Sequence, residues 1–597
     1  MTLAKHWKYN NGEDIVVSNL KGLAHSNPAV RLIPSEKIIF NPNSDTTQKV
    51  TLISGGGAGH EPLHAGFVGE NLLDAAVSGS IFASPSTKQI MAAVKTKSDK
   101  KKGTVIIVKN YTGDILHFGL VAEKAKAEGY NVELVIVADD VAVGREQNKM
   151  VGRRGLAGTA IVHKILGSAV NDKTADLKSI AELGRVVNDN LVTISASLDR
   201  TSVPGRTAQE IEFTAEDEIE VGLGIHNEPG HRVKPSPSID ELVNDLFKKL
   251  LSPKDEERHY VDFDLEKDDY VLLINNLGGT SSLELYTVTE HIVRLLPFSK
   301  KPKRILISDF VTSLSAPGFS ITFLNLSNIS KSDVKFSESQ ILEFLDTPTN
   351  APGWKPKSYT SEEWEQDIDY VESPLKDKSV VTSSLKVDAD AFERSLKHSL
   401  NKLLKAEPKI THYDTIVGDG DCGETLAAGA NAILSELKKN GEFKKKLSDP
   451  VATLATITEL VEDSMGGTSG GIYSIYLTSL LQNFQNFDEL TVKTFGEAAY
   501  IALYDGLFKY TRARVGGRTL VDTLQPFVDT LKNSNNLEEA VKAAKDGCDN
   551  TKSLEAKFGR ASYVDSSKFK DEEGGVPDPG AVGLLALIEG FTETSPQ

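Results

Sequence analysis

The sequence predicts an α/β domain followed by an all-helical domain. Over residues 1–347, short β-branched runs alternate with helix-compatible stretches, and most of the runs lead into a polar or glycine-rich loop. This alternation favours helices packed in layers on a sheet. Over residues 389–597, long helix-like segments follow one another with almost no strand signal. The length of 597 residues fits several domains, since a single core stops growing at about 250–300 residues.

The predicted strands of the first domain are short and apolar. They are Val50–Ile53, Thr104–Val108, Val132–Val137, Leu191–Ile194, Tyr270–Ile274 and Ile305–Ile307. Predicted helices between them include Leu120–Glu128 and Ile239–Leu251. Because open α/β sheets bind ligands beyond the carboxyl ends of their strands, the loops that follow these strands are the first candidates for a functional site.

Residues 348–388 predict an interdomain linker. They begin with a proline-rich stretch and continue with acidic and aromatic residues that have neither strand nor helix period. After them, four long segments have a helical pattern: Ala389–Ala406, Ala452–Met465, Ile472–Asn483 and Thr494–Tyr510. We therefore expect domains at residues 1–347 and 389–597, joined by this linker.

The bulk composition excludes several classes of protein. With 67 basic and 84 acidic residues the formal charge is −17, which repels nucleic acid and anionic membrane surfaces. No stretch of about 18 apolar residues predicts a membrane span. The two cysteines, Cys422 and Cys548, are too few for a disulfide framework or a zinc cluster and favour a reducing compartment. We expect a soluble cytoplasmic protein that binds neither nucleic acid nor membrane.

A glycine-rich loop follows the first predicted strand, with the sequence Ser54-Gly-Gly-Gly-Ala-Gly-His60. So many glycines allow backbone N–H groups to approach a small polar ligand. The loop matches neither the GxxxxGK[ST] phosphate loop nor the GxGxxG dinucleotide loop. A tight turn with a capping histidine is the alternative that these residues leave open.

Two further loops place reactive side chains after strands. Lys109-Asn-Tyr-Thr-Gly-Asp114 supplies a cation and a carboxylate, and Gly222-Leu-Gly-Ile-His226 supplies a histidine that lies between glycines. Three such loops together predict a pocket lined by His60, Lys109, Asp114 and His226. From the residues alone, a purely structural role for His226 stays open.

Three aspartates lie within eight residues of the second domain, at Asp414, Asp419 and Asp421. Carboxylates about 4 Å apart repel by roughly 4 kcal/mol at an effective dielectric constant near 20, so such a cluster calls for a cation. Oxygen ligands select a hard ion, and the loop spacing of an EF-hand calcium site is absent. Magnesium that bridges carboxylates and nucleotide phosphates fits three protein ligands. A solvated acidic turn is the alternative.

Three short motifs follow in the second domain: Ser464–Gly471, Gly516–Asp522 and Val576–Ala581. The first is a glycine-rich link between two helical stretches, where helix-start N–H groups with Thr468 or Ser469 can hold phosphate. The second offers an arginine for charge neutralisation, and the third is a rigid turn. For each motif alone, a plain helix-connecting loop is the favoured interpretation.

Together, the motifs of the first domain resemble the substrate half of the ATP-dependent dihydroxyacetone kinases. The resemblance covers most of residues 1–345 and rests on Ser54–Pro62, Lys109–Asp114, Gly224–Gly230 and Asn276–Ser281. It implies two α/β subdomains, a hemiaminal between His226 and the substrate ketone, and proton transfer assisted by Asp114 and His60. The residues that it implies for binding dihydroxyacetone are Gly57, Ala58, Gly59, His60, Lys109 and Asp114.

Over residues 389–595 the chain resembles the nucleotide-binding half of the same family, a barrel of antiparallel helices. The resemblance implies that Asp414, Asp419 and Asp421 hold two magnesium ions. The residues that it implies around ATP are Asp421, Cys422, Gly423, Glu424, Gly466, Gly467, Thr468, Ser469, Arg518, Asp578, Pro579 and Gly580. The chain departs from the family at Gly517, where relatives often have aspartate, and Glu424 occupies a variable position.

Because both halves lie in one chain, the resemblance implies free ATP as the phosphoryl donor. It also implies a homodimer, with dihydroxyacetone and D-glyceraldehyde as substrates. Two alternatives remain: an FMN cyclase that cleaves FAD with the same nucleotide domain, and a non-catalytic ketose sensor that keeps only the sugar pocket. The presence of all three aspartates disfavours the sensor.

Overall fold

The structure is a computed structural model that describes residues 6–10, 12–146, 149, 151–204, 214–367, 370–374, 381–439, 441–558 and 575–594. The chain forms two compact units, Met1–Asp369 and Tyr370–Gln597. In the described residues, no helix combines the length and the apolar character needed to cross a membrane.

The first unit contains two six-stranded sheets. The strands of the first sheet are β1 (Arg31–Ile33), β2 (Ile38–Phe40), β3 (Thr51–Ala58), β4 (Ala75–Ile81), β5 (Thr104–Lys109) and β6 (Val132–Val137). Their order is β1-β2-β4-β3-β5-β6, with parallel pairing from β4 to β6 and antiparallel pairing at β1 and β2. The parallel strands β3 and β5 therefore end at the same edge, where the predicted glycine-rich and Lys109 loops begin.

Helices cover both faces of this sheet. They are α1 (Ile15–Ser26), α2 (Thr87–Lys97), α3 (Thr112–Ala127), α4 (Gly158–Ala169) and α5 (Leu177–Asp189). Because successive strand residues point to opposite faces, Ile106 and Val108 pack with α2 and α3, whereas Val105 and Ile107 pack with α1, α4 and α5. A strand buried on both faces reads as a continuous apolar run, as β5 does.

The second sheet is mostly antiparallel. Its strands are β7 (Leu191–Ser197), β8 (Ile219–Val221), β9 (His231–Val233), β10 (Tyr270–Asn276), β11 (Arg304–Ser308) and β12 (Gly318–Asn325). The order is β11-β10-β12-β7-β8-β9, and only β10 and β11 pair in parallel. The helices that accompany this sheet are α6 (Ile239–Leu251), α7 (Ser282–Arg294), α8 (Leu326–Ser330) and α9 (Glu338–Asp346).

Several helices begin at side-chain caps that the sequence encodes locally. Ser238 accepts a hydrogen bond from the N–H of Glu241, whose carboxylate in turn accepts from the Ser238 N–H. Ser281 and Glu284 repeat this capping box at the start of α7. Each box satisfies two of the N–H groups that a helix start leaves without partners, which fixes where the helix begins.

The six predicted strands are all present, and β6 has the predicted bounds. The antiparallel strand β12, which lies between β10 and β7 in the centre of the second sheet, was not predicted. Its sequence, Gly318-Phe-Ser-Ile-Thr-Phe-Leu-Asn325, has the alternation of a strand, but it starts directly after a glycine- and proline-containing turn that obscures its beginning.

The start of the predicted linker packs on the first unit. The N–H of Gly353 donates to the carbonyl of Gly66 over 2.8 Å, and Trp354 is buried against Phe310. A short helix, α10 (Ser361–Glu365), follows. At the other end, Leu385 is buried in the core of the second unit. Both ends of the predicted linker therefore bury apolar side chains, one in each unit.

In the residues of the second unit that the structure describes, the regular elements are all helices. Its helices are α11 (Ala389–Val417), α12 (Cys422–Lys438), α13 (Glu442–Lys446), α14 (Pro450–Ser464), α15 (Gly467–Phe484), α16 (Val492–Ile501), α17 (Val521–Ser534), α18 (Leu537–Asn550) and α19 (Pro579–Thr592). Helix α11 packs along α19 and α12, and α17 packs along α18. The predicted fold class, an α/β half followed by a helical half, is confirmed.

Two glycines in helices of the first unit provide a test of how α4 packs. A Cβ added to Gly167 in α4 would lie 2.6 Å from the carbonyl oxygen of Asn71, whereas a Cβ on Gly119 in α3 would have no atom within 4 Å. We expect Gly167→Ala to lower the free energy of unfolding of the first unit by about 1–3 kcal/mol, because backbone must move. The matched control Gly119→Ala should raise it by about 0.5–1 kcal/mol. Denaturant unfolding measures both, and an unchanged stability for Gly167→Ala would contradict the packing of α4.

Candidate active site

The first cluster of functional side chains lies where the two sheets of the first unit meet. Gly57 and Ala58 end β3, and His60 follows them in the loop. Lys109 ends β5, and Asp114 lies in the first turn of α3. His226 lies in the loop after β8, in the other half of the unit. The fold thus brings four predicted side chains from three loops to one edge.

The imidazoles of His60 and His226 are in direct contact. Their Nε2 atoms are 3.0 Å apart, and the ring planes are nearly perpendicular. Nδ1 of His60 lies 2.9 Å from the carbonyl oxygen of Thr312, and Nδ1 of His226 lies 2.8 Å from a carboxylate oxygen of Glu228. Since a carbonyl and a carboxylate only accept hydrogen bonds, both Nδ1 atoms carry protons.

The two Nε2 atoms face each other, and one shared proton is needed to make their contact a hydrogen bond. Burial lowers the pKa of His60 well below its usual range, and the positive charges of His226 and Lys109 lower it further. In this hydrogen bond the neutral His60 is therefore the acceptor and His226 the donor.

Glu228 holds the other nitrogen of the His226 ring, Nδ1. Burial raises the pKa of its carboxyl, but the hydrogen bond and the charge of His226 outweigh burial and lower the pKa to about 2. The same carboxylate accepts the backbone N–H of His226 over 2.9 Å. Glu228 is therefore ionised at neutral pH, and it fixes both the orientation and the tautomer of the His226 ring.

Aromatic rings enclose the histidine pair. The rings of Tyr111 and Phe82 meet the His226 ring edge to face, at centroid distances of 4.6 and 5.3 Å, and Phe82 also stacks on His60. Burial raises the pKa of the Tyr111 hydroxyl well above its usual value. These walls leave the neutral imidazole of His60 and the proton of His226 in apolar surroundings, where hydrogen bonds are strong.

A buried cation lies beside the glycine loop. Lys109 is fully buried, and its Nζ is 2.8 Å from Nε2 of His64. A Cβ placed on Gly56 would lie 3.0 Å from this Nζ and 3.4 Å from a carboxylate oxygen of Asp114. The other oxygen of Asp114 accepts a hydrogen bond from Ser84 over 2.5 Å. A glycine at position 56 is therefore what leaves room for a cation and a carboxylate to converge there.

Other residues of this cluster were not predicted. Glu228 lies only two positions after His226, so its carboxylate was a readable signal within the same motif. His64, four positions after His60, was equally close. Phe82 and Thr312 come from distant segments, and nothing in their local sequence indicates that they contact His60.

The second cluster lies in the helical unit around a cavity of about 500 Å³. Asp414 is in the last turn of α11, and Asp419 and Asp421 lie in the turn before α12. One carboxylate oxygen from each of the three lies within 4.8 Å of the others. The donor set consists of hard oxygens from one buried and two exposed carboxylates, which suits magnesium with water and phosphate as further ligands.

The start of α15 lines the other side of this cavity. Gly467, Thr468 and Ser469 form the first turn of the helix, so the predicted link is shorter than expected and ends at Gly466. The backbone of Gly467 has a positive φ of 64°. An N-terminus of an 18-residue helix directs free N–H groups and the positive end of the helix dipole at the cavity, which favours a phosphate.

Arg518 and Asp578 complete the lining from two further loops. Arg518 is 1% exposed and donates a hydrogen bond to the carbonyl of Val576 over 2.8 Å. Asp578 caps α19 by accepting the N–H of Ala581, and Pro579 is the first residue of that helix. Burial raises the pKa of Asp578 to about 7, in spite of the charge of Arg518.

The cavity brings together ten of the twelve residues expected around ATP. These ten are Asp421, Cys422, Gly466, Gly467, Thr468, Ser469, Arg518, Asp578, Pro579 and Gly580. Gly423 instead packs against α11, where an added Cβ would lie 2.8 Å from the carbonyl of Glu407, and the side chain of Glu424 is exposed. Neither of these two lines the cavity.

Comparison with known proteins decides the family. The Dak1 domain family matches residues 21–353, and the DAK2 domain family matches residues 416–593. A dihydroxyacetone kinase of Komagataella pastoris is 51% identical over 99% of this chain and 98% of its own length. The chain belongs to the dihydroxyacetone kinase family.

Other dihydroxyacetone kinase relatives match over the same length. The crystal structure of the dihydroxyacetone kinase from C. freundii in complex with AMP-PNP and Mg²⁺ has 29% identity and a TM-score of 0.67, and covers 99% of this chain and 100% of its own. A triokinase/FMN cyclase of Mus musculus is 34% identical over 98% of both chains. The expected family, fold class and kinase activity are therefore confirmed.

Replacing the clustered carboxylates of this kinase should weaken its binding of metal ions. We expect Asp419→Asn combined with Asp421→Asn to weaken Mg²⁺ or Mn²⁺ binding by at least about tenfold, because two of three anionic ligands become neutral. Isothermal titration with the metal measures this. The control is Asp546→Asn, an exposed aspartate of α18 outside the cavity. Equal metal affinity in the double variant and the control would exclude the cluster as the metal site.

Proposed function

We propose that the chain captures dihydroxyacetone covalently on His226 and transfers the γ-phosphate of ATP to it, giving dihydroxyacetone phosphate and ADP. The observation that carries this proposal is the anchoring of the His226 ring: Nδ1 is held by Glu228, so Nε2 is the nitrogen left to react with a ligand. Once Nε2 gives up its proton, the ring keeps the proton on Nδ1, and Nε2 is a nucleophile toward a carbonyl carbon.

His60 is the base that frees the nucleophile. As the ketone approaches, the shared proton moves from Nε2 of His226 to Nε2 of His60, 3.0 Å away. The lone pair of His226 then forms a bond to the carbonyl carbon, and the C=O π electrons move to the oxygen. That oxygen takes the proton from His60 and becomes the hydroxyl of a hemiaminal. The resulting imidazolium carries one positive charge, which the carboxylate of Glu228 balances.

Covalent capture explains selection for a ketone. Glycerol has no carbonyl group, so it forms no bond with His226 and stays unaligned. We assign to Gly57, Ala58 and Gly59 the backbone contacts to the triose. Asp114 accepts the proton of the terminal hydroxyl during transfer, and Lys109 binds an oxygen of the substrate. The same capture extends to D-glyceraldehyde, since an aldehyde also adds imidazole.

The helical unit supplies the nucleotide site in this proposal. Asp414, Asp419 and Asp421 would hold two Mg²⁺ ions, and Gly466–Ser469 would bind phosphate through backbone N–H groups and hydroxyls. When bound, MgATP provides the phosphoryl group with its charge partly neutralised. The AMP-PNP and Mg²⁺ bound to the C. freundii relative support this assignment. Arg518 contributes positive charge at the cavity wall, and Cys422, Asp578, Pro579 and Gly580 border the nucleotide.

An FMN cyclase activity is the second candidate. The name of the mouse relative, triokinase/FMN cyclase, favours it, and it would use the nucleotide cavity without the ketone site. The two activities separate cleanly, because a cyclase does not need His226. A sensor without catalysis is disfavoured by the complete carboxylate cluster and by the family.

Replacement of His226 tests the proposal. We expect His226→Ala to lower kcat/KM for dihydroxyacetone by at least about 100-fold, because the substrate loses its covalent alignment. Coupled measurement of ADP release and mass spectrometry of the trapped adduct report on it. The matched control is His231→Ala, an exposed histidine of β9. Full activity of His226→Ala would overturn covalent capture, and a Mn²⁺-dependent cleavage of FAD that survives in this variant would favour the cyclase as the main role.

We further propose that the enzyme is a cytoplasmic homodimer, as the resemblance to the family implies. Analytical ultracentrifugation should give a sedimenting mass of about twice the 64.7 kDa of one chain. We also expect a mixture of the His226→Ala and Asp419→Ala chains to regain activity if each active centre uses two chains. A monomer at micromolar concentration would exclude this assembly.

A further inference from the structure

A buried polar chain lies behind the ketone site, and apart from Lys109 its members take no part in the steps above. It consists of Ser54 on β3, His64 in the following loop, His163 in α4 and Lys109 on β5. Their exposed fractions are 0, 4, 0 and 0%. Burying three ionisable groups together is costly unless each hydrogen bond is made, so the arrangement demands a physical reason.

One backbone carbonyl fixes the protons of the chain. Ser54 Oγ lies 2.7 Å from the carbonyl oxygen of Ile107, which only accepts, so the hydroxyl proton of Ser54 points there. The remaining Ser54 contacts are Nδ1 of His64 at 2.9 Å and Nε2 of His163 at 3.1 Å. Since the only hydroxyl proton is already used, both histidines must donate to Ser54.

The donor role of Nδ1 determines which hydrogen-bonding group His64 presents to Lys109. Burial lowers the pKa of His64 well below its usual range, and the charge of Lys109 lowers it further, so the ring carries a single proton. That proton is on Nδ1, which leaves a lone pair on Nε2. Nζ of Lys109, 2.8 Å away, donates to this lone pair. Burial likewise lowers the pKa of His163, to about 3, so His163 is neutral as well.

One hydrogen bond, to Nε2 of His64, thus holds the ammonium of Lys109. Its charge is opposed by burial and supported by the carboxylates of Asp114 and Glu61, while the buried rings of His60, His64 and His163 face it as neutral groups. One N–H is committed to His64. The other two are free to point toward the space beside Gly56, where Asp114 also lies.

We propose that His64 is a positioning residue that holds the Lys109 ammonium in the ketone site, in the orientation dictated by the Ile107 carbonyl through Ser54. The proposal rests on the proposed function, because it concerns the cation that binds the triose there. This role of His64 is separate from covalent capture. His64 acts on binding through Lys109 and touches neither His226 nor the reacting carbonyl.

The test compares His64→Phe with His64→Gln. Phenylalanine fills the site without an acceptor, whereas the amide oxygen of glutamine can replace Nε2 as an acceptor for Lys109. We expect His64→Phe to raise KM for dihydroxyacetone by about 10- to 100-fold with a smaller change in kcat, because a buried charged donor loses its partner. Loss of that acceptor disfavours the charged ammonium, so the alkaline limb of kcat/KM should move to lower pH. His64→Gln should restore most of both.

Neutron diffraction from crystals of the wild-type protein gives a second measurement that does not depend on how a variant folds. Deuterium on Nδ1 of His64 and on Nε2 of His163, with none on Nε2 of His64, is the expected result. Deuterium on Nε2 of His64 would overturn the proposal. So would an unchanged KM and pH profile in a folded His64→Phe protein, or a His64→Gln protein no better than His64→Phe.

The result separates this proposal from covalent capture. If the adduct on residue 226 still forms in His64→Phe at saturating dihydroxyacetone, His64 acts on binding alone, as proposed. If the wild-type protein forms no adduct and His226→Ala retains full activity, the proposed function fails, whatever His64 does.

Discussion

The cluster around His60 and His226 depends on one short segment, residues 312–314, which joins the loops of both sheets. The carbonyl of Thr312 accepts from Nδ1 of His60, and the Leu314 N–H donates to the carbonyl of Gly59. Between them, Ser313 donates to the carbonyl of Ile225, next to His226. The segment is itself held by Asn275 of β10, whose side chain bonds the backbone of residues 310 and 311. The distance between the two histidines is therefore set by the hydrogen bonds that this segment makes to the His60 ring and to the backbone of both loops.

The two units control charge in opposite ways. In the first unit burial removes charge from histidines, so that His60, His64 and His163 stay neutral while Lys109 keeps carboxylates nearby. In the second unit two of the three clustered carboxylates are exposed to solvent. The first arrangement suits a proton that moves over one hydrogen bond, and the second suits a hard cation that water and phosphate also reach.

Much of the fold and of the site could be predicted from local sequence. The apolar run of β5 stands out because it is buried on both faces. Asp414, Asp419 and Asp421 are close in sequence and meet in space. What could not be predicted comes from distant pairing. Strand β12 and the contact of Thr312 with His60 depend on how residues more than a hundred positions apart come together. Glu228 was within the motif, but its effect on His226 requires the loop geometry.

The glycines at the start of α15 have different physical causes, although they look alike in sequence. A Cβ on Gly470 would crowd the backbone of Met465, so that glycine serves helix packing. Gly467 has a positive φ, which disfavours any side chain there. Gly466 and Gly471 have no atom within 4 Å of an added Cβ, and Gly466 has an extended backbone that other residues also adopt. Neither packing nor conformation requires a glycine at position 466, which lines the cavity, so this glycine is consistent with the proposed approach of a phosphate to its backbone.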